Sequence, residues 1–554
     1  MFDQILKSAR TLAAATSPPE AAKLLAQNVP DQVTIEGVKE FISHDHPASD
    51  ACAVLQTLYA TLTSGNLDDA DGSKESLEYI ALQVGHLMEP VCSGASFDED
   101  STDYESISRS GELGLHVIGE LSKISRHKLV LPPRALLSIV AYTNPEDTWS
   151  SSSLAEKSRS LISAYFDHYE PGKGALGGER QRFVTEDALT GFLRPLFVKS
   201  RPTTVTASGR PAAFPEPPSR YAQGDGFGGA ADDVTNTKPW KYARRYAVTV
   251  FEWAVDSADT ELLQQHWPLY TPVLLTLLDE PEPTWLKRRS LSIFRTFWAR
   301  CPEGLLSRIG LTDVFEQAVF PVVLSLPRLT PETESLALLG AAYPALFDMA
   351  GVLNSDAGVD GDTKDAGEAA NNEPAYRNQG FTDAQRKLLD KIVREGIMVG
   401  YHHAKENIRL VDFLCKTLRS FVSGIGIISV KYLKDIMPLV TEILTDPFGT
   451  KYPQALLSAT LLLQEVLQTC WPRAQHYCNV VIRCIMICWL NIEDDDSLTT
   501  DKRTEAQLKQ HLARVAETLF AIMAAAKLDI SDRLSPLVGK EPRLRSLFSG
   551  CKVG

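Results

Sequence analysis

One pattern occurs twice in the chain, as WPLYTPVLLTLLDEP (residues 267–281) and as YLKDIMPLVTEILTDP (432–447). Each segment reads as an apolar helix with an internal proline, closed by a turn that contains an aspartate and a second proline. Each is followed by another helix-forming stretch, at 284–301 and 452–470. Helix pairs of this kind cannot bury their apolar faces alone, so consecutive pairs stack and share one core. The recurrence therefore predicts an α-solenoid of irregular HEAT-like helical repeats.

A weaker third copy and the helical period elsewhere extend this prediction. The third copy, DVFEQAVFPVVLSLPRLTP (313–331), carries Pro321 and leads into another helix-forming stretch. Apolar residues recur at gaps of three and four through 311–326 and again through 508–526, which predicts a helix with one apolar face in each. Alternation of the strand type does not extend beyond a few residues. We predict an all-α fold.

Capping signals predict where two helices begin. Thr330 and Pro331, followed by glutamates, have the pattern of an N-cap and a proline at the first helical position. Thr382 and Gln385 have the spacing of a capping box.

Changes in composition along the chain predict its organisation. Residues 200–237 are rich in Pro, Gly, Ser and Thr, and residues 351–378 are polar and acidic. Five parts result: an N-terminal helical region (1–199), a flexible linker (200–237), a HEAT-like core (238–350), an acidic disordered insertion (351–378) and C-terminal HEAT-like repeats (379–554).

Charge and cysteine content restrict the environment and the partners. A net charge of −14 argues against nucleic acid as a main partner, because contacts to phosphates need a basic face. Nine cysteines, an odd number without regular spacing, indicate a reducing compartment, and we expect the cytoplasm and the nucleus. The most apolar stretch, 480–490, is short and contains Arg483, so we expect no membrane association.

No stretch of the chain carries a recognised catalytic motif. The acidic run EDDDS (493–497) fails the spacing of the metal-binding DDxxD motif, and the glycine-rich segment 172–178 lacks the order of a phosphate-binding loop. The histidines and aspartates of SHDHPASD (43–50) have no second cluster to complete a metal site. We predict no catalytic residue, no metal and no cofactor, and we interpret the chain as a scaffold and not an enzyme.

The cysteines near the C-terminus raise the alternative of a zinc site. Cysteines 470, 478, 484 and 488, together with His476, are closely spaced but include no CxxC pair. Cys484 and Cys488 fall on an apolar helical stripe, so we interpret them as small core residues.

The stretch from Lys238 to Ala350 resembles the Tel-two-interacting protein two family, in particular its fungal members. It begins KPWKYARRYAVTVFEWAV (238–255), continues through the proline-bent helix, and runs GLTDVFEQAVFPVVLSLPRLTPETES (310–335) into AAYPAL (341–346). The resemblance covers about a fifth of the chain clearly and the C-terminal helices more loosely.

The resemblance implies a subunit of the Triple-T complex, together with Tel-two and Tel-two-interacting protein one. In that family the complex works with the ninety-kilodalton heat-shock chaperone and an AAA+ co-chaperone. It supports the maturation and stability of phosphatidylinositol-3-kinase-related kinases, which would be indirect partners here. The alternative function is that of a HEAT-type adaptor for transport or phosphatase assembly, whose acidic concave face would bind basic cargo.

Five residues are candidates for binding a partner: Lys238, Trp240, Lys287, Arg288 and Arg289. The charged residues are natural contact candidates because they stand out from an otherwise core-like motif. The alternative is that residues of this motif maintain packing between repeats, because Trp240, Trp253, Phe315 and Leu326 have the spacing of core residues.

Overall fold

The structure is a computed structural model of the 554-residue chain. It describes residues 2–12, 17–30, 32–44, 46–64, 74–93, 101–125, 129–169, 178–200, 206, 210, 238–352, 380–494 and 502–551. Helices dominate these residues, which include no β-strand. The all-α prediction is confirmed.

The chain folds into two compact units, and unit 1 comprises Met1–Asp279 and Arg300–Leu311. Its helices are α1 (Phe2–Thr11), α2 (Pro18–Ala26), α3 (Ile35–Ser43), α4 (Ala51–Thr63), α5 (Lys74–Leu87), α6 (Tyr104–Ile124), α7 (Pro133–Val140), α8 (Ser152–Tyr169), α9 (Glu179–Arg182), a π-helical stretch (Phe183–Leu193), α10 (Arg194–Phe197), α11 (Tyr246–Asp256) and α12 (Thr260–Asp279).

Unit 2 comprises Glu280–Ala299 and Thr312–Gly554. Its helices are α13 (Thr284–Arg300, whose last residue belongs to unit 1), α15 (Thr312–Val319), α16 (Glu332–Ala350), α17 (Asp383–Lys391), a π-helical stretch (Ile392–Met398), α18 (Val399–Ala404), α19 (Ile408–Ile425), α20 (Leu433–Thr445), α21 (Pro453–Thr469), α22 (Trp471–Asp494), α23 (Lys502–Ala525) and α24 (Ser531–Lys540). The short helix α14 (Leu305–Arg308) belongs to unit 1.

Helices of unit 1 pack in two alternating layers. Each even-numbered helix from α2 to α8 contacts the next even-numbered helix, and each odd-numbered helix from α3 to α7 contacts the next odd-numbered helix. Contacts between every second helix are the signature of stacked helix pairs, because each new pair covers the apolar face that the previous pair leaves open.

One layer of unit 2, layer A, contains α13, α16, α19, α21 and α23. Arg295 of α13 forms a 2.6 Å ion pair with Asp348 of α16. Tyr343 of α16 lies 6.1 Å from Phe413 of α19, measured between ring centroids. Ser458 of α21 donates a hydrogen bond to Asp412 of α19, and α21 packs against α23. Layer A is therefore continuous through unit 2.

The other layer of unit 2, layer B, contains α15, the helix formed by α17 and α18, then α20, α22 and α24. Lys391 at the end of α17 forms a 2.8 Å ion pair with Glu316 of α15. The layer continues where the Cys484 thiol of α22 lies 3.5 Å from the Thr441 hydroxyl of α20. Layers A and B alternate along the chain, as in HEAT-like repeats, so the prediction of an α-solenoid-type helical repeat is confirmed.

Both strong copies of the sequence pattern form the expected helix with an internal proline. Pro272 lies inside α12 and Pro438 inside α20, and each helix ends where the aspartate turn begins. The weaker third copy differs, because α15 ends at Val319 and Phe320–Leu324 forms a 3₁₀ helix. The prediction of one helix through 311–326 is wrong there, since Pro321 cannot donate the hydrogen bond that continues an α-helix.

The predicted helix starts are close to those observed. Thr382 and Gln385 form the complete capping box, with each side chain accepting a hydrogen bond from the other residue's backbone N–H. The helix predicted at Thr330 and Pro331 begins at Glu332, so Pro331 and not Thr330 occupies the N-cap position.

Residues on the two sides of the predicted linker belong to the same compact unit. Trp240 stacks on Phe197, with ring centroids 4.8 Å apart and an angle of 13° between the planes. The chain leaves unit 1 after Asp279, returns to it at Arg300 and leaves it again after Leu311. The linker itself, apart from Ser200, Thr206 and Arg210, lies outside the described residues, as does the acidic insertion apart from Gly351 and Val352.

One segment of unit 2, Ile408–Thr445, is long and apolar enough to cross a membrane by length and composition alone. It is not one continuous helix, because the chain breaks at Gly426, whose φ of 60° ends α19. Leu418 and Phe421 are fully buried, and Phe421 packs against Phe347 of α16. The apolar character of this segment is explained by the core of unit 2.

Candidate partner-binding surface

Trp240, the one aromatic residue among the five candidates, is a core residue of unit 1. Its side chain is fully buried, its ring stacks on Phe197, and its Nε1–H donates a 2.9 Å hydrogen bond to the Ser200 hydroxyl. Lys238, two residues earlier, is half-buried. The sequence allowed two roles for Trp240, partner contact and packing, and the structure places Trp240 in the packing role.

The rest of the KPWKYARRY motif attaches α11 to the end of α5. The backbone N–H of Cys92 donates a 2.8 Å hydrogen bond to the carbonyl of Ala243. The buried guanidinium of Arg245 donates to the hydroxyl of Tyr104, at the start of α6. The motif therefore joins elements that are far apart in the sequence.

Glu89 is the charged centre of this attachment. Its carboxylate accepts hydrogen bonds from the Tyr246 hydroxyl at 2.6 Å and from Arg134 at 2.7 Å, and Arg244 lies 3.8 Å away. Burial alone would raise the pKa of Glu89, but hydrogen bonds from Tyr246 and Arg134 and the nearby positive charges outweigh it and lower the pKa. Glu89 is consequently held as a buried, paired carboxylate. Glu89 could not be identified from the sequence, because nothing in its local pattern points to a partner 157 residues away.

The three remaining candidates lie on α13 in unit 2 and differ in accessibility. Arg288 is exposed, Lys287 is half-buried, and Arg289 is buried at 7% exposure. The structure therefore places the five candidates in two different units, with Arg288 the most accessible of them. Their assignment as partner contacts stays a prediction.

Unit 2 has an accessible surface that no sequence motif marks. We name it the B-to-A edge, formed by the first turns of α13 and α19 and the connections that lead from layer B to layer A (320–331, 405–407 and 446–452). Thr284, at the start of α13, donates a hydrogen bond to Glu334, just beyond the first of these connections. Lys405 in the second connection forms a 2.9 Å ion pair with Glu442, near the C-terminal end of α20. The connections follow one another along one side of the stacked pairs.

Large apolar side chains are exposed at successive positions of the B-to-A edge. Their exposed fractions are 39% for Trp285, 45% for Leu324, 92% for Leu329, 36% for Ile408 and 76% for Phe448. Scattered exposed apolar residues are ordinary, but a series of them along one edge is typical of a protein-binding surface. Helical periodicity could not predict this series, because these residues lie at helix ends and in connections.

The alternative metal sites are not assembled in the structure. Among the residues that the structure describes, no three His, Cys, Asp or Glu side chains lie close enough to hold a metal ion. The ring nitrogens of His44 and His46 lie 2.7 Å and 3.0 Å from backbone carbonyl oxygens of α3, while Asp45 lies outside the described residues. The interpretation of Cys484 and Cys488 as core residues is confirmed, since they are 0% and 1% exposed.

The acidic run at 493–497 is described only in its first two residues. Glu493 forms a 2.8 Å ion pair with Lys509, and Asp494 pairs with Arg543. Both carboxylates thus pair with basic residues that follow α22 in the chain. The remaining three residues of the run lie outside the described part of the chain.

Comparison with solved structures gives two weak likenesses. A mutant of Kap121p is 9% identical, with a TM-score of 0.36, and the match covers 97% of this chain and 46% of that one. Yeast importin-β (Kap95p) is 12% identical, with a TM-score of 0.19, and the match covers 97% of this chain and 80% of that one. The chain thus spans less than half the length of Kap121p. Both TM-scores are low, so the fold assignment depends on the helix contacts described above.

Comparison with protein families identifies the family of the chain, which the structural likenesses do not. No curated protein matches the sequence. The model of the Tti2 family matches residues 135–451, which is more than half of the chain. This range extends from α7 of unit 1 to the Phe448 turn of unit 2, and it includes the KPWKYARRY motif and the B-to-A edge. The chain belongs to the Tti2 family.

Proposed function

We propose that this chain is a non-catalytic scaffold subunit of a Triple-T-type complex. In this role it binds Tel-two-interacting protein one-like and Tel-two-like helical-repeat proteins. Together with heat-shock chaperone machinery, the complex supports the maturation and stability of phosphatidylinositol-3-kinase-related kinases. Family membership is the observation that carries this proposal, and stacked helix pairs suit the role because they offer a long surface for binding proteins.

The B-to-A edge is the contact surface we propose for the helical-repeat partner. It lies within the family match and exposes Leu329 and Phe448 more than any other large apolar side chains of the described residues. Burying such side chains against a partner contributes about 1.5–3 kcal/mol each before the costs of association are subtracted. Arg288 lies beside this surface and is the sequence candidate best placed to join it.

The alternative of a transport or phosphatase adaptor has less support. Family membership does not favour it, and the two structural likenesses are too weak to add to it. Because we propose a complex of cytoplasmic and nuclear proteins, we also propose that the chain is found in both compartments, which cell fractionation would test.

Affinity purification of the full-length tagged chain from cells tests the proposal. We expect mass spectrometry to identify two further helical-repeat proteins and a giant kinase of the named class. We also expect depletion of the chain to lower the abundance of that kinase without changing its mRNA. Recovery of a small GTPase or a phosphatase catalytic subunit in place of these proteins would overturn the proposal in favour of the adaptor.

The contact surface has its own test. The double variant Leu329→Asp/Phe448→Asp should lose the helical-repeat partners while retaining its melting temperature, since both side chains are exposed. Leu24→Asp is the matched control, because Leu24 is 56% exposed but lies on α2 of unit 1. Equal loss of partners in the control, or none in the double variant, would exclude the B-to-A edge as the contact surface.

A further inference from the structure

The opposite side of the stacked pairs in unit 2 carries a second exposed apolar cluster. It lies at the connections from layer A to layer B, namely Gly426–Tyr432 and the junction of α21 with α22. These two connections touch, since the Ser429 hydroxyl lies 3.0 Å from the Cys470 thiol. Ile427, Ile428 and Trp471 are exposed there, at 51%, 42% and 59%. We name this surface the A-to-B edge.

An apolar depression lies beside the exposed cluster. Its walls come from the start of α20, the end of α21 and the start of α22, and include Leu433, Met437, Leu467 and Ala474. Trp471 begins α22 next to this depression. The depression is small and its walls are buried residues, so the exposed Trp471 is the main apolar feature of this surface, and a protruding aromatic side chain is common at the centres of protein interfaces.

Charge at the A-to-B edge is opposite to that of the whole chain. Residues 413–434 and 466–492 contain no Asp or Glu, although the chain has 70 acidic against 56 basic residues. The same two stretches contain six basic residues: Lys416, Arg419, Lys431, Lys434, Arg473 and Arg483. All six are exposed, and Lys431, Lys434 and Arg473 lie at the two connections that carry the apolar cluster. An edge with this composition attracts negative charge in a protein that is otherwise acidic.

Carboxylates that neighbour the A-to-B edge are engaged with other groups. Asp390 accepts hydrogen bonds from Lys431 and from the Tyr432 hydroxyl. Asp435 lies 3.6 Å from Arg394, and Glu465 lies 3.8 Å from Arg419. Arg473 lies 3.5 Å from a ring nitrogen of His476. Among the described residues no carboxylate forms an ion pair with Lys434 or Arg473, so their positive charge can pair with a ligand.

We infer that the A-to-B edge binds an acidic amphipathic segment of another protein. Apolar side chains of the segment would cover Ile427, Ile428 and Trp471, while its carboxylates would pair with Lys434 and Arg473. A second copy of this chain fits less well, because it would bring a like-charged A-to-B edge against this one. The inference rests on the proposed function only in that both make the chain a protein-binding scaffold.

Binding of a synthetic peptide to the full-length chain tests this inference. The probe is a fluorescent helix-forming peptide of about 16 residues with Leu or Phe at one face and Glu elsewhere. We expect saturable binding by fluorescence anisotropy that weakens as salt is added. Two matched probes define specificity, one with Lys in place of every Glu and one with the same composition in scrambled order. Equal affinity for the Lys peptide would overturn the charge argument, and equal affinity for the scrambled peptide would overturn the amphipathic one.

Variants of the edge locate the site. Lys434→Glu/Arg473→Glu and Trp471→Ser should each weaken binding by about tenfold or more, and Phe448→Ser on the B-to-A edge is the matched control. If Trp471→Ser does not fold, the charge-reversed pair alone decides, because both of its side chains are exposed. Unchanged binding in these variants, or a dimer of the chain that dissociates in Trp471→Ser, would overturn the inference.

Failure of this inference is distinguishable from failure of the proposed function. Lys434→Glu/Arg473→Glu should still co-purify with the helical-repeat proteins while losing the peptide. Leu329→Asp/Phe448→Asp should show the reverse behaviour. Loss of both activities in both pairs would show that the two edges do not bind separate ligands.

Discussion

The Tyr246 hydroxyl donates a 2.6 Å hydrogen bond to Oε1 of Glu89, a residue 157 positions earlier in the chain. Arg134 of α7 reaches the other oxygen of the same carboxylate at 2.7 Å. One buried acid thus joins the end of α5 to α7 and to α11. Because α11 begins within the KPWKYARRY motif, this contact shows what the motif does in the fold.

Removing the Tyr246 hydroxyl should destabilise unit 1 without disturbing its packing. Tyr246→Phe keeps the ring but removes a hydrogen bond to a charged acceptor, which costs about 1.5–3 kcal/mol. Urea denaturation of the purified chain would measure the change. Tyr79→Phe is a useful control, because Tyr79 on α5 is less buried than Tyr246. A Tyr246→Phe protein as stable as the wild type would contradict the assigned role.

Glu89 should make the stability of unit 1 depend on acidity. The pKa of Glu89 is lowered in the folded state from its ordinary value of 4.5. Its ionised form therefore stabilises the fold above pH 4.5, and this contribution is lost as the pH falls through the lower, folded-state pKa. We expect Glu89→Gln to be less stable than the wild type at pH 7, with a gap that narrows below about pH 4.5. A constant gap across that range would contradict the prediction.

Trp240→Ala should destabilise the chain by about 3–5 kcal/mol, as expected for a large buried aromatic side chain. Trp240→Phe retains a ring for Phe197 to stack on and should lose much less. Thermal melting measured alongside partner recovery separates packing from direct contact. If Trp240 touched a partner directly, Trp240→Ala would lose the partner while melting at the wild-type temperature.

Two glycines of α6 should respond in opposite ways to alanine. A Cβ at Gly111 would overlap Cε1 of the buried Tyr142, whereas a Cβ at Gly119 would meet nothing within 4 Å. Gly111→Ala should cost about 1–3 kcal/mol through overpacking. Gly119→Ala should be neutral or stabilising by up to about 1 kcal/mol, because alanine favours the helix. Denaturation midpoints of the two variants, measured side by side, check this.

Chelators should leave the C-terminal helices unchanged. Cys488 is 1% exposed, and burial raises the pKa of its thiol to about 12, which opposes the thiolate form that zinc requires. We expect the same melting temperature with and without EDTA, and no labelling of Cys484 or Cys488 by a maleimide until the chain unfolds. Stoichiometric zinc in the purified protein, lost together with stability on chelation, would contradict this expectation.

The helical repeats could be predicted from the sequence because packing in each pair is local. An apolar stripe with gaps of three and four determines which face of a helix is buried, and Phe315 and Val323 are fully buried as that stripe requires. The prediction failed where a local rule opposed the stripe. Pro321 ends α15, and Leu326 at the end of the stripe is only half-buried, whereas Phe320, which lies off the stripe, is buried.

The candidate surfaces could not be predicted in the same way. Trp285 and Phe448 belong to no common sequence pattern. They lie on the same edge only because successive helix pairs stack with their connections on one side. Glu89 gives no signal either, since its partners Arg134 and Tyr246 are far away in the chain. Trp240 illustrates the reverse case, in which a conspicuous aromatic residue of a family motif is a core residue.

The alternation of layers A and B has a consequence for how the chain is made. Each helix of unit 2 gains its main contacts from helices one or two positions away in the sequence, so little chain entropy is lost before a contact forms. A ribosome that has released α16 to α18 has released a pair ready to receive α19, and each later pair adds to the end of the one before. Unit 2 can therefore be assembled during synthesis, from α13 towards the C-terminus.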